Sequence, residues 1–181
     1  GSAGLEAAAA YQEAAFRAWG LEPWSVGSYR QTFDLEASRP DPAAQVKFEG
    51  AEGAPYSPIL AEEVVVVSQN RHAPEQATAE IVYGGYLIQA PEHDWDNLAG
   101  VDLRGKILLV EINEPESRTG GLFDGAAMTW HGRWVRKFEL AAAAGAAGIF
   151  LIHNTPGAGY GWPVVRTGWT SEQFFLPGAP T

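Results

Sequence analysis

The chain has 181 residues, of which 46% are hydrophobic and 12% aromatic, so it can bury a sizeable core as one domain, or as one domain with an extension. Its formal net charge of −10 argues against a nucleic-acid or anionic-membrane partner, because phosphate binding needs clustered Lys and Arg. The chain has no cysteine, which excludes disulfides and thiolate metal sites. No apolar run approaches the roughly 20 residues of a membrane-spanning helix.

The first predicted element is an alanine-rich helix at 5–19 (LEAAAAYQEAAFRAW), whose apolar residues recur near the helical period. Gly20 follows, where a glycine in the left-handed conformation ends a helix. A strand is predicted at 29–37 (YRQTFDLEA), where apolar and polar residues alternate loosely. From 39 to 58 the chain is rich in Pro, Gly and Ala, so we expect loops and edge strands there, with at most one strand, at 45–48.

Strand signals follow in quick succession through the middle of the chain. β-branched and apolar runs predict strands at 63–68 (EVVVVS), 79–83 (AEIVY) and 106–112 (KILLVEI). The polar stretch PEHDWDNLAG, between the last two strands, is predicted to be a turn.

A β-α-β crossover is predicted next. A helix is expected from Met128 to Ala144, with Gly145 as its C-terminal cap, and a buried strand at 148–153 (GIFLIH). Together with the strand at 106–112, this order places two parallel strands side by side. The tail at 155–175 is predicted to be a glycine- and tryptophan-rich loop with at most one short strand.

The stretch TWHGRWVRKFELAAAAGAAGIFLIHN could be a catalytic segment or scaffold, and the residues favour scaffold. One stripe of the helix is apolar or small and is expected to pack on a sheet; it comprises Trp130, Trp134, Phe138, Ala141, Ala142 and Gly145. Another face is expected to be solvated and carries Arg133, Arg136 and Lys137. A catalytic His131 would need a base or nucleophile as partner, and the adjacent sequence offers none.

No complete catalytic or metal-binding motif is visible. The four histidines (His72, His93, His131 and His153) lack the short spacing that places two ligands on one helix face. Asp94 and Asp96 beside His93 are interpreted as residues that cap a turn. There is no G-x-S-x-G elbow, and the glycines at 157, 159 and 161 resemble a phosphate loop only in composition.

Three stretches resemble one known domain. They are AEIVYGGYLIQAPEHDWDNLAGVDLRGKILLVEIN (79–113), FDGAAMTWHGRWVRKFELAAAAGAAGIFLIHN (123–154) and GYGWPVVRTGWTSEQFFL (159–176). They are similar to the protease-associated (PA) domain inserted in secreted two-zinc aminopeptidases, over roughly Val64 to Leu176. The resemblance implies an α/β (α+β) fold with β-sheets in a sandwich or open barrel, the β-α-β crossover and flanking helices. It also implies that 1–35 form the edge of a peptidase domain and that 36–181 form the PA domain.

The resemblance carries no catalytic residue and no metal ligand onto this chain. In the family, the first zinc ligands lie in a His-x-Asp motif that would come after Phe175, and none of the four histidines here has that context. The chain is therefore expected to be an accessory domain without a cofactor of its own, while the parent catalytic domain holds two zinc ions. Expected partners are the catalytic domain of the same polypeptide and a peptide substrate. The family also implies a secreted or periplasmic location.

Three functions remain open from the sequence. The leading one is a non-catalytic PA domain that covers the active-site cleft of a zinc exopeptidase and aids substrate selection. The second is a free-standing module that binds peptide or carbohydrate, and the third is an autonomous hydrolase using His93, Asp94 and His153. The predicted substrate contacts lie in the tail, where large aromatic side chains stand between and after glycines: Tyr160, Trp162, Arg166 and Trp169.

Overall fold

The computed structural model describes residues 2–25, 27–50, 52–68, 76–115, 123 and 127–178. The helices are α1 (Ala3–Ala18), α2 (Trp134–Ala143), α3 (Thr155–Ala158) and α4 (Trp162–Thr170). The strands are β1 (Glu36–Ser38), β2 (Ile81–Tyr83), β3 (Gln89–Ala90), β4 (Trp95–Asp96), β5 (Ile107–Glu111), β6 (Gly148–Ile152) and β7 (Gln173–Phe175), with a 3₁₀ turn at Pro91–His93. The predicted mixture of α and β structure is confirmed. None of the described helices is long and apolar enough to cross a membrane.

The described residues fall into two compact units. The first comprises those of Gly1–Ala37 and Phe174–Pro180, and the second those of Ser38–Gln173. The strands form a three-stranded sheet, β2-β5-β6, and two two-stranded sheets, β1-β7 and β3-β4. The assignment of 1–35 to a peptidase domain stays a prediction, as does the PA-like sandwich or open barrel.

Local interactions hold α1 together. The Ser2 hydroxyl accepts a hydrogen bond from the Leu5 amide at 3.2 Å and caps the first turn. At the other end Gly20 takes a φ of 73°, and the Leu21 amide donates to the Phe16 carbonyl, which is the Schellman arrangement. Arg30 pairs with Glu6 and Glu13 at 2.8 and 3.1 Å. The predicted helix and its glycine cap are therefore confirmed, although no residue of α1 is buried.

The strand predicted at 29–37 forms only at its end. The Tyr29 hydroxyl donates to the Leu21 carbonyl at 2.5 Å, and its ring lies 6.1 Å from that of Phe16. These contacts hold Tyr29 against the C-terminal end of α1, and a paired strand begins only at β1, which pairs with β7. The prediction is wrong for 29–35.

The three-stranded sheet is parallel and contains the main core of the second unit. Ile107 to Glu111 of β5 pair in register with Gly148 to Ile152 of β6, and Ile81 to Tyr83 of β2 pair with Ile107 to Leu109. Leu108 and Val110 are fully buried and cluster with Leu140 and Ala141 of α2. The predicted β-α-β crossover is thus confirmed, because α2 connects the adjacent parallel strands β5 and β6.

Two predicted strands are absent from the sheet. The chain turns at 61–63, where the Glu63 carboxylate accepts the Ile59 amide at 2.7 Å and the Glu63 amide donates to the Ile59 carbonyl at 2.8 Å, and no strand forms at 65–68. Only an isolated bridge between Leu60 and Val64 remains, so the strand prediction is wrong. At 45–48 a single bridge joins Phe48 to Tyr56, with their rings stacked at 6.1 Å.

The predicted polar turn after β2 is a short hairpin. β3 and β4 pair antiparallel around the 3₁₀ turn, which ends at Asp94 in the left-handed conformation with a φ of 52°. The Asp96 carboxylate accepts the Leu98 amide at 2.7 Å, which confirms its predicted turn role. Asn97 accepts both the Ile88 amide and the Trp95 indole N–H, each at 3.0 Å, and so ties the hairpin together.

The crossover helix begins six residues later than predicted. Thr129 donates from its amide and its hydroxyl to the Glu114 carboxylate, at 2.8 and 2.6 Å, which keeps the chain in a turn until Trp134. At the other end Gly145 takes a φ of 71°, and the Ala146 amide donates to the Ala141 carbonyl at 3.0 Å. The prediction of Gly145 as the cap is confirmed.

Candidate functional site

The tail at 155–175, predicted to be a loop with at most one short strand, contains the helices α3 and α4 and one short strand, β7. Pro163 lies in the first turn of α4, where its missing N–H costs nothing. The carbonyls of the last turn are closed by side chains: Thr170 donates to Arg166, Ser171 to Thr167 and Gln173 to Gly168, at 2.7, 2.6 and 2.8 Å. These three bonds replace a glycine cap, so the loop prediction is wrong over the length of α4.

An open groove of about 260 Å³ lies between α2, the turn before α4 and α4 itself. The residues that line it are uncharged at neutral pH: Trp134, Tyr160, Val164, Val165, Gly168, Trp169 and Gln173. Trp134 opens the helix that follows β5, and the other lining residues follow β6. The groove therefore lies on the side of the sheet at which α2 begins, toward the carboxyl ends of the parallel strands.

The structure brings two of the four predicted contact residues to this groove. Tyr160 and Trp169 line it, and Trp169 packs edge-to-face on Trp134 with ring centroids 5.4 Å apart and planes at 83°. Trp162 lies elsewhere: its indole N–H donates to the Ala61 carbonyl at 3.2 Å and its ring packs on His153. Arg166 is exposed and does not line the groove.

Sequence analysis missed five of the lining residues: Trp134, Val164, Val165, Gly168 and Gln173. A usable signal did exist, because Val164, Val165 and Trp169 recur at helical spacing after Pro163. We assigned Trp134 only to the packing stripe of α2. Nothing in the sequence around Gln173 distinguishes it from other polar residues of the tail.

The prediction of a solvated cationic face on α2 is wrong at Lys137. It is fully buried, its ammonium group donates to the Tyr86 carbonyl, and Nζ lies 5.9 Å from the centre of the Tyr86 ring. Burial lowers the pKa of Lys137 to about 8, against the opposing effect of Glu114 and Glu111. The buried Lys137 thus joins α2 to the segment between β2 and β3.

His131 has a carboxylate partner that the adjacent sequence did not show. Its Nε2 lies 2.7 Å from Glu92 Oε1 in the 3₁₀ turn, 39 residues earlier in the chain. The pKa of Glu92 is lowered, first by a hydrogen bond from its own backbone amide and then by His131. The ring also packs on His93 and Phe123. The pair connects the hairpin to the turn before α2.

The residues of the hydrolase hypothesis lie in separate clusters. His93 packs on Phe123 and His131, whereas His153 packs on Tyr160 and Trp162. His72 lies outside the described residues. In the part of the chain that the structure describes, no group of three or more His, Asp or Glu is arranged to hold a metal ion.

Comparison of the chain with family models, with curated proteins and with solved structures gave no match.

Proposed function

We propose that this chain is a non-catalytic, PA-like domain of a zinc-dependent exopeptidase, and that its aromatic groove contacts the peptide substrate away from the scissile bond. The observation that carries this proposal is the groove lined by Trp134, Tyr160 and Trp169 on the side of the sheet at which α2 begins. The resemblance of 79–113, 123–154 and 159–176 to PA domains adds the peptidase context. On this proposal the protein is secreted or periplasmic.

The chemistry of the groove suits a peptide. Its aromatic and aliphatic walls favour apolar side chains, since removal of apolar surface from water stabilises a complex by about 25 cal/mol per Å². Gln173 at its edge supplies an amide that can hydrogen-bond to a peptide backbone. No step of peptide hydrolysis is assigned to the residues of this chain; their part is to bind and orient.

The alternative is a free-standing module that binds carbohydrate. Sugar rings stack on flat, exposed aromatic faces, but Trp134 and Trp169 stand perpendicular to each other. Their arrangement forms a corner rather than a continuous platform, which favours a side chain over a sugar ring. Peptide is therefore the ligand class that the geometry supports better.

Ligand titrations of the chain, followed by tryptophan fluorescence, separate these functions. We expect blocked tripeptides and tetrapeptides to bind with a saturable signal that Trp169→Leu weakens about tenfold, while malto- and cello-oligosaccharides do not bind. Trp24→Leu, at a tryptophan 88% exposed in the first unit, is the control and should leave binding unchanged. Saturable binding of an oligosaccharide instead of a peptide would favour the alternative.

A second assay tests the peptidase context. The chain by itself should neither hold stoichiometric zinc nor hydrolyse aminoacyl-nitroanilides, whereas the native protein that carries it should do both. One tightly bound zinc per chain, or turnover by the chain that His93→Ala abolishes, would show an autonomous hydrolase instead.

A further inference from the structure

We draw no further inference here: the strongest candidate, an anion site beside Arg133 and Arg136 at the first turn of α2, which no side chain caps, rests on a helix N-terminus alone, since nothing else in the described residues points to a ligand there.

Discussion

The two units of this protein are stabilised in different ways. Every buried apolar side chain of the described residues lies within Ser38–Gln173, including two residues of β5 and two of α2. The 16-residue helix α1 of the first unit has no buried residue, and it exposes Leu5, Tyr11 and Trp19. Its helical structure depends on a serine cap, a glycine cap and exposed ion pairs. An isolated helix of this length is marginal in water, so a clear helical pattern in a sequence does not by itself identify a stable element.

The largest difference between the units should appear on truncation of one leucine in each. Leu108 is fully buried in β5, whereas Leu5 in α1 is 60% exposed. We expect Leu108→Ala to lower the free energy of unfolding by about 2–5 kcal/mol and Leu5→Ala to change it by less than about 0.5 kcal/mol. Urea unfolding of both variants gives the comparison. Similar losses in the two would show that α1 belongs to a core after all.

Burial of Lys137 in the second unit should give its stability an unusual dependence on pH. The pKa of Lys137 is about 8 in the folded protein and 10.5 in a free side chain. Between these values the unfolded state binds more protons, so the unfolding free energy contributed by this residue rises with pH and is flat on either side. Relative to Lys137→Met, the wild type should gain about 1–3 kcal/mol from pH 8 to pH 10.5. Parallel stability curves for the two proteins would mean that Lys137 titrates normally.

The glycine cap of α2 should matter through backbone strain. Gly145 has a φ of 71°, and an added Cβ would lie 3.2 Å from Arg104 Cγ. We expect Gly145→Val to destabilise the protein by about 1–3 kcal/mol. Gly145→Asn, which tolerates the left-handed conformation better, should cost less. Calorimetric melting of both variants measures the effect, and equal melting temperatures for the two would point to the Arg104 contact rather than to φ.

The smallest expected effect is that of removing α1. A chain that begins after Pro23 should keep the cooperative melting transition of the second unit to within about 0.5 kcal/mol, because α1 buries no side chain. It should also self-associate less, since its exposed apolar residues are gone. A large loss of stability would contradict this expectation and would show that α1 contributes to the core of the protein.

The sequence predicted the elements whose signal is local. The runs KILLVEI and GIFLIH form β5 and β6, as continuous apolar segments predict. Their predicted burial is confirmed only at alternate residues of β5, because no residue of β6 is buried. Gly20 and Gly145 were identified as caps because a positive φ is cheap only for glycine. These predictions needed no knowledge of what the segments pack against.

The errors arose where hydrogen bonds of individual side chains, or the side of a helix that a residue occupies, decide the outcome. The glycines of the tail suggested a loop, but Thr170, Ser171 and Gln173 close the last turn of α4 with their side chains. Lys137 was predicted on the surface from its charge alone, although its ammonium group donates a hydrogen bond inside the core to the Tyr86 carbonyl, 51 residues away. Only two of the predicted contact residues line the groove. The prediction grouped residues that are close in sequence, whereas helical spacing determines which residues of α4 face the groove.

The role of the groove is best tested by kinetics in the native protein. Val164→Glu places a carboxylate on the wall of the groove without removing an aromatic contact, and Val135→Glu makes the same change at an exposed position of α2 that does not line the groove. We measure KM for a pentapeptide and for a small aminoacyl-nitroanilide. The proposed function predicts that Val164→Glu raises KM about tenfold for the pentapeptide only, because the short substrate does not reach the groove, and that Val135→Glu changes neither value. An equal rise for both substrates, or no rise for either, would contradict it.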